Sequence, residues 1–453
     1  MKKKLVKMMA GCLLAGGLFA SCREDRSGEY YALISTQTWM YEVMQEHYLF
    51  YEDLPKEEKL NFFNKPHDLL KQLASQKDQK NGVVFSHIDS VKTVEKSRAE
   101  NVYPTFGFEC ALVRVPNGAE AMRVLYTQKD SPAEEVKLKR GDWIIAVNGK
   151  RINQNNFISI VTQPQSAYSF TMGAFNGEGF DTLNVVKMPA PRMVKNRDVL
   201  EVHPISMGGK TAYYILYNAF GSDVKQLTDL FAQLGGKAFD DIILDLRYNP
   251  GGYVTTSQVL GSNLAPVEAM NKPFIKMKFN DKKDTLAVYN FDPKLVSNKA
   301  PMGYRNLYVI TSQHTASASE AIINGLRPFM KGRIFQVGDN TFGKNLGQQL
   351  FRDERALQMD FWLTTFSLSN AEDFGDYFSE GLKPDFLLKE NVQGALGALG
   401  TKQDSLMLPV LEHIASGKFP AVEADSEQPE SKAAFKVLEH SIAQKPKWFL
   451  LNN

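Results

Sequence analysis

The sequence of 453 residues predicts an α/β protein, because two kinds of segment alternate along part of it. Over residues 195–395, short apolar runs typical of strands buried on both faces alternate with amphipathic helical segments. This alternation is the pattern of a mainly parallel sheet covered by helices. A chain of this length is also too long for one compact core, so we expect several domains.

The first 21 residues have the composition of an export signal. Four lysines among the first seven residues precede an apolar stretch over residues 8–20. At about 13 residues, this stretch is too short to span a bilayer and typical of a signal peptide. Small residues stand directly before Cys22, as in the lipobox of bacterial lipoproteins. We therefore expect cleavage before Cys22 and its acylation, the alternative being an ordinary secretory signal with a chance cysteine.

Composition excludes several other classes of function. Once Cys12 leaves with the signal and Cys22 is acylated, Cys110 stands alone, so we expect no disulfide framework and a small buried side chain at Cys110. The net charge of +2 does not favour binding to nucleic acid, so we expect no nucleic-acid partner. The seven histidines lack metal-ligand spacing and no phosphate-binding loop is present, so we expect neither metal nor cofactor.

Residues 22–95 are predicted to form an N-terminal helical module. Their apolar side chains recur every three or four positions, which indicates amphipathic helices packed on one another. We expect the aromatic cluster at residues 48–51 to be core rather than a ligand site. The spacing is carried by Trp39, Met40, Val43, Met44, Tyr48 and Leu49, and then by Leu69, Leu70 and Leu73.

Residues 96–192 have a different predicted secondary structure, with short strands and turns. Residues 124–126 and 143–147 are strand-like, and Asn148-Gly149 is a strong hairpin signal. Prolines at 189 and 191 predict a linker to the next domain, which spans residues 193–395. The last segment, 396–453, is predicted to be a C-terminal helical tail that contains a loose polar stretch at 424–431.

Three loops of the 193–395 domain carry the candidate chemistry. Buried strands are predicted at 213–216, 242–246, 307–310 and 334–337, with helices over 224–234, over 254–260 and after 317. The loops at 247–252, 314–320 and 339–344 each follow a strand. Since sites in parallel sheets form at the carboxyl ends of strands, we expect these loops to meet.

Ser317 and Lys344 are the candidate nucleophile and general base. A lysine can take the proton of a serine hydroxyl when burial disfavours its charged form. The N–H of Ala318, together with that of Gly251 or Gly252, would form an oxyanion hole. His314 is the rival base, but three residues across a strand-to-helix turn is an awkward reach to Ser317.

These motifs resemble those of the C-terminal processing, or tail-specific, serine peptidases. The similar segments are 243–252, 315–320 and 341–348, with 381–385 resembling a closing motif. The resemblance implies a Clp protease–crotonase-like core in which Ser317 is the nucleophile, Lys344 the base and Gln348 the residue that orients it. Tyr248 departs from the asparagine common in the family.

The upstream segments 105–108, 131–133 and 138–144 look like an inserted PDZ domain. Such domains bind free carboxyl termini by strand addition, and the resemblance assigns that role to Phe106, Gly107 and Phe108. We therefore expect an exported serine endopeptidase, lipid-anchored in the cell envelope, acting on polypeptides with accessible C-termini.

Two alternatives remain open. The first is a non-catalytic lipoprotein that binds peptides or other ligands on the same fold. The second is an acyl-thioester enzyme on the crotonase version of the fold, which would use two backbone N–H groups but no Ser-Lys pair.

Overall fold

The computed structural model describes residues 27–90, 102–162, 164–195, 197–283, 285–298, 302–352, 359–421, 435–444 and 449–451. Cys22, the predicted lipidation site, and the polar stretch 424–431 lie outside these residues. Within them, no helix has the length and apolar character that a membrane crossing requires.

The described part of the N-terminal module contains two α-helices, α1 (Ser27–His47) and α2 (Pro66–Leu73), followed by three strands. The strands are β1 (Gln79–Lys80), β2 (Val83–Val84) and β3 (His87–Ser90). The two helices pack through the apolar side chains that the spacing predicts. Those that are buried include Met40, Met44, Tyr48, Leu69, Leu70 and Leu73.

Residues 102–195 form an inserted domain built on an antiparallel sheet. Strands β4 and β11 pair where the chain enters and leaves this domain, which separates it from the core. Asn148 and Gly149 both have positive φ and connect β7 to β8, so the predicted hairpin is confirmed. The elements are β4 (Val102–Thr105), β5 (Phe108–Arg114), β6 (Glu120–Thr127), α3 (Pro132–Glu135), β7 (Trp143–Val147), β8 (Lys150–Arg151), α4 (Gln154–Thr162), β9 (Tyr168–Phe175), β10 (Phe180–Met188) and β11 (Arg192–Lys195).

The core domain follows, and its described residues form two sheets and three α-helices. Its elements are β12 (Val199–Met207), β13 (Lys210–Tyr217), α5 (Lys225–Leu234), β14 (Asp241–Asp245), β15 (Gly252–Tyr253), α6 (Val254–Leu264), β16 (Pro273–Phe279), β17 (Leu286–Asn290), β18 (Asn306–Thr311), α7 (Ala318–Leu326), β19 (Ile334–Gly338), β20 (Leu346–Arg352), β21 (Met359–Ser369) and β22 (Phe386–Leu387).

The central sheet has the strand order β12-β13-β14-β18-β19-β22. Strand β12 is antiparallel to β13, and every other neighbouring pair is parallel, so the predicted mainly parallel sheet is confirmed. On β14, Ile242 and Leu244 belong to the hydrophobic cluster that includes α5, α6 and α7. Ile243 belongs to the cluster on the other face. Burial on both faces explains why this strand is apolar at consecutive positions.

The chain ends with α8 (Met407–Ser416), β23 (Lys436–His440) and β24 (Phe449–Leu451). Strand β23 extends the sheet of the inserted domain by pairing antiparallel with β5. Strand β24 lies between β15 and β20 in the second sheet of the core, whose order is β15-β24-β20-β21-β16-β17. Both late strands therefore join sheets formed by earlier parts of the chain.

Two secondary-structure predictions are wrong. The helical interpretation of the N-terminal module fails over residues 79–90, where β3 pairs antiparallel with β21. The helical tail predicted after residue 431 is instead a strand at 436–440. In both cases a strand edge from a distant part of the chain offers unpaired backbone groups, and pairing with it outweighs the local helical preference.

Candidate active site

The three predicted loops meet at the carboxyl ends of β14, β18 and β19. The N–H of Ala316 donates to the carbonyl of Asn249 at 3.1 Å, and the N–H of Phe342 donates to the carbonyl of Thr315 at 2.8 Å. Each loop is thus bonded through its backbone to its neighbour. The expectation that the loops converge is confirmed, and it follows from the parallel strand order.

Ser317 is fully buried and precedes the first residue of α7. Its backbone has φ 62° and ψ −113°, a region that L-residues with a side chain rarely adopt. Holding a residue there costs about 1–3 kcal/mol, and such positions cluster at functional sites. The surrounding bonds must therefore stabilise this conformation.

Glu320 supplies those bonds. One carboxylate oxygen, Oε2, accepts the N–H of Ser317 at 2.7 Å and the N–H of Lys344 at 2.8 Å. The other, Oε1, accepts the hydroxyl of Thr341 at 2.5 Å and the N–H of Gly343 at 2.6 Å. The backbone nitrogens of Ser317 and Lys344 therefore lie close together, because both donate to the same oxygen atom. Sequence analysis assigns Glu320 no role beyond its place in the motif.

The protonation of Glu320 is set by opposing effects. Burial raises its pKa above the ordinary value, and the donors from Thr341, Lys344, Ser317 and Gly343 lower it. A carboxylate that receives four donors on its two oxygens has to be ionised, because a protonated oxygen would itself be a donor. The bonds thus hold a buried negative charge between the two candidate catalytic loops.

Lys344 is fully buried, and its amine has a defined hydrogen-bond partner. Nζ donates to Oε1 of Gln348 at 2.8 Å and lies 5.0 Å from the centre of the Phe85 ring. Phe85 belongs to the N-terminal module and packs with Ala316 and Phe342 in a small apolar cluster. Burial of this kind disfavours the charged form of an amine. A lysine must be neutral to act as a base, so this burial supports that role.

Gln348 continues a chain of hydrogen bonds into the N-terminal module. Its Nε2 donates to the hydroxyl of Thr364 at 3.1 Å, and that hydroxyl donates to Oδ1 of Asp78 at 2.6 Å. The phenol of Tyr48 donates to Oδ2 of Asp78 at 3.0 Å. The sequence analysis missed Asp78 and Thr364. The available signal was Tyr48, because a buried phenol needs a polar partner.

The three residues whose backbone N–H groups are candidate oxyanion donors have different surroundings. The N–H of Gly251 donates to Oδ1 of Asn249 at 3.0 Å. Gly252 has φ +145°, and a Cβ there would lie 2.0 Å from the carbonyl oxygen of Phe220, so only glycine fits. The N–H of Ala318, in the first residue of α7, has no acceptor within its helix.

His314 has its ring centre 4.4 Å from that of His440 in β23. Burial lowers the pKa of His440 to about 4. The His440 ring beside His314 is therefore a neutral imidazole at physiological pH.

Two other segments of the chain lie beside residues of the candidate site. Strand β24 runs parallel to both of its neighbours, with Phe449 opposite Gly252 and Leu450 opposite Gln348. Near the hairpin formed by β1 and β2, Nζ of Lys80 donates to the carbonyl of Ser379 at 3.0 Å. The side chains of Ser317 and Lys344 are themselves fully buried, so the described conformation leaves neither open to solvent.

The predicted peptide-binding residues of the inserted domain lie together at the start of β5. Phe106 is buried against Phe170, and Phe108 contacts the same ring. Gly107 has φ +80°, and a Cβ there would lie 2.1 Å from the Cβ of Ser131. The edge of β5 that follows these residues is paired with β23.

A buried ionic cluster joins the inserted domain to the loop before Gly251. Arg140 donates to Glu390 at 2.6 Å and to the phenol of Tyr248 at 2.8 Å, and that phenol donates to Glu390 at 2.6 Å. Arg247 bonds Glu390 and also Asp404. Burial alone would raise the pKa of Glu390, but the two guanidinium groups lower it to about 2. Every charge in the cluster has a partner, as burial requires.

Comparison with known proteins identifies the two parts that form this site. Residues 35–87 match the model described as Peptidase S41 N-terminal domain, and residues 211–388 match the model described as Peptidase family S41. Together these regions span about half of the chain.

Three relatives illustrate the similarity. A carboxyl-terminal-processing protease of Picosynechococcus sp. (strain ATCC 27264 / PCC 7002 / PR-6) is 26% identical over 249 residues, covering 53% of this chain and 54% of that protein. A CtpA-like serine protease of Staphylococcus aureus (strain N315) is 26% identical over 274 residues, covering 59% and 50%. The chain thus spans about half the length of these curated relatives. A crystal structure of an S41 protease from Bacteroides fragilis NCTC 9343 has a TM-score of 0.72 at 27% identity, covering 84% of this chain and 97% of that one.

Proposed function

Because this chain belongs to peptidase family S41, we propose that it is a serine endopeptidase in which Ser317 is the nucleophile and Lys344 the general base. The observation that carries the proposal is the carboxylate of Glu320, whose Oε2 binds the backbone N–H groups of both residues. A buried amine with a fixed acceptor in Gln348 supports the role of Lys344.

The proposed reaction follows from these groups. The neutral amine of Lys344 takes the proton of the Ser317 hydroxyl as its oxygen attacks the scissile carbonyl carbon. The negative charge that develops on the substrate oxygen is bound by the N–H groups of Gly252 and Ala318. The Lys344 ammonium then returns the proton to the leaving amine, and water hydrolyses the acyl-enzyme. Gly251 is the weaker candidate donor, because its N–H already binds Asn249.

We propose that substrates are polypeptides with accessible C-termini and that they enter by displacing segments of the chain itself. Strand addition to the inserted domain, interpreted as a PDZ domain, requires the β5 edge that Lys436–His440 occupies. A scissile segment beside Gly252 requires the space that Phe449–Leu451 occupies. The described conformation is on this view the closed form of the enzyme.

Export and lipid anchoring at Cys22 belong to the same proposal. The support is the sequence alone, namely the basic and apolar leader followed by small residues before the cysteine. Metabolic labelling with an alkyne fatty acid should mark the wild-type protein and not Cys22→Ala. Equal labelling of both would remove the anchor from the account.

The direct test of the activity is cleavage of an unstructured protein such as casein. We expect Ser317→Ala and Lys344→Ala each to abolish cleavage, with casein binding retained in Ser317→Ala. Lys331→Ala is the matched control, because the side chain of Lys331 is 70% exposed and pairs only with surface Glu372 among the described residues. Full activity in either active-site variant would contradict the assignment of that residue, and a wild-type protein that binds casein without cleaving it would favour the alternative of a non-catalytic binding protein.

A further inference from the structure

Asp78 is a buried carboxylate of the N-terminal module for which the proposed reaction has no role. It is the last residue of a 3₁₀ turn, Gln76–Asp78, and its side chain is fully buried. It lies against β21, where Thr364 is held on both sides by the module. The N–H of Thr364 donates to the hydroxyl of Ser86 at 2.9 Å, and its carbonyl accepts the N–H of Leu49 at 3.0 Å.

The direction of each hydrogen bond between Asp78 and Lys344 is fixed by the hydrogens available. An ionised carboxylate only accepts, so the single hydroxyl hydrogen of Thr364 points to Asp78. The hydroxyl oxygen must then accept, and Nε2 of Gln348 is its donor. That leaves Oε1 of Gln348 facing the amine of Lys344. The charge on Asp78 therefore determines which end of the Gln348 amide meets the candidate base.

We propose that Asp78 is a positioning residue of the peptidase reaction, supplied by the N-terminal module. Acting through Thr364, it holds the carbonyl oxygen of Gln348 towards Lys344, and its negative charge stabilises the ammonium that forms when Lys344 takes the proton of Ser317. This inference rests on the proposed function. It gives the N-terminal module a part in catalysis, since the module contributes the carboxylate at the far end of the chain.

The same bonds explain why a neutral residue could not do this. An amide or a protonated carboxyl at position 78 can donate to the Thr364 hydroxyl, which frees the hydroxyl hydrogen to point at Gln348. Gln348 could then turn over and present its NH₂ group to Lys344. Aligned bonds of this kind also polarise one another, which strengthens the acceptor next to the base.

The groups around Asp78 keep it ionised at neutral pH. The pKa of Asp78 is raised to about 6, because burial outweighs the bonds from Ser86, Thr364 and Tyr48 that lower it. The charge of Lys344 lowers this pKa further whenever its amine is protonated. Asp53 acts electrostatically on Tyr48, the phenol that donates to Asp78, and it pairs with Lys77 at 3.1 Å. Above about pH 6 the carboxylate is therefore the main form.

The test compares Asp78→Asn, Thr364→Val and Thr364→Ser by steady-state cleavage of a fluorogenic peptide derived from casein. We expect kcat to fall about 10- to 100-fold in Asp78→Asn and in Thr364→Val, with KM within about threefold of wild type. Thr364→Ser keeps the hydroxyl and should recover activity to within a few-fold.

The pH profile separates positioning from a merely structural role. The charge of Asp78 favours the protonated amine of Lys344, so in Asp78→Asn the acidic limb of kcat/KM should move to lower pH. Thr364→Val retains the charge, so its acidic limb should stay close to that of wild type while the plateau falls. A structural role predicts unchanged profiles and the same loss in Thr364→Ser as in Thr364→Val.

Two outcomes would overturn the inference while leaving the peptidase intact. One is wild-type kcat and an unshifted profile in Asp78→Asn, with Ser317→Ala inactive in the same assay. The other, which applies even if Asp78→Asn does not fold, is equal kcat in Thr364→Val and Thr364→Ser. Activity in Ser317→Ala would instead contradict the proposed function itself.

Discussion

Replacing Glu320 with glutamine tests whether one carboxylate holds the two catalytic loops together. Glutamine has nearly the same shape, but one of its two terminal atoms is an NH₂ group that donates and cannot accept. With this group at the Oε2 position, the N–H groups of Ser317 and Lys344 both lose their acceptor. With it at the Oε1 position, the N–H of Gly343 loses its acceptor.

The second arrangement is the less costly, and it sets the lower bound. The hydroxyl of Thr341 would have to reorient, although it already accepts the N–H of Leu382 at 2.7 Å. A bond to a charged group contributes about 1.5–3 kcal/mol, and a buried donor left alone costs about 1–3 kcal/mol. We therefore expect Glu320→Gln to lower the free energy of unfolding by about 2–4 kcal/mol. Because each 1.4 kcal/mol of lost positioning is tenfold in rate, kcat/KM should fall at least tenfold.

Urea denaturation and casein cleavage measure the two effects. Glu372→Gln is the matched control, because this carboxylate is 54% exposed and pairs with surface Lys331. Removing an exposed ion pair of this kind should change the free energy of unfolding by less than about 1 kcal/mol. Wild-type unfolding and wild-type kcat/KM in Glu320→Gln would refute the idea that this residue clamps the loops.

Three further predictions follow from the same contacts. Gly252→Ala would force a Cβ against the carbonyl oxygen of Phe220, so kcat should fall about 10²- to 10³-fold, whereas Gly177→Ala, at φ +102° with open space around it, should retain wild-type kcat. Burial lowers the pKa of His440 from 6.5 to about 4, so between these pH values only the unfolded chain binds the proton. The free energy of unfolding should therefore fall by about 3 kcal/mol as the pH drops from 6.5 to 4. The variant His440→Gln should lack this dependence on pH. Val437→Pro should weaken the pairing of β23 with β5 and tighten binding of a C-terminal peptide in a titration, and unchanged affinity would mean that β23 does not compete with that peptide.

The central sheet and the meeting of its loops could be predicted because their signals are local. Strand β14 is apolar at consecutive positions because it is buried on both faces, and parallel order brings the loops after β14, β18 and β19 to one edge. The positions of Ser317 and Lys344 follow from that order together with the motifs.

The remaining parts of the site depend on contacts between distant segments. Asp78 lies in an unremarkable polar turn, and Thr364 is 286 residues further along the chain. Neither has a periodic or motif signal, so only the folded structure brings them together. Tyr48 was correctly predicted to be core, but its ring alone did not reveal that its hydroxyl bonds a buried carboxylate.

The tail shows the same limit in secondary structure. Residues 436–440 were predicted to be helical, yet the free edge of β5 makes them a strand. Pairing with an edge that lies more than 300 residues earlier has no trace in local propensity.

Labelling with a fluorophosphonate probe, followed by peptide mass spectrometry, tests the activation of Ser317 by Lys344 most directly. We expect one adduct on the peptide that contains Ser317 in the wild-type protein, and loss of that adduct in Lys344→Ala, while Lys331→Ala labels normally. An adduct that forms at the wild-type rate in Lys344→Ala, or that falls on a different serine, would contradict the account.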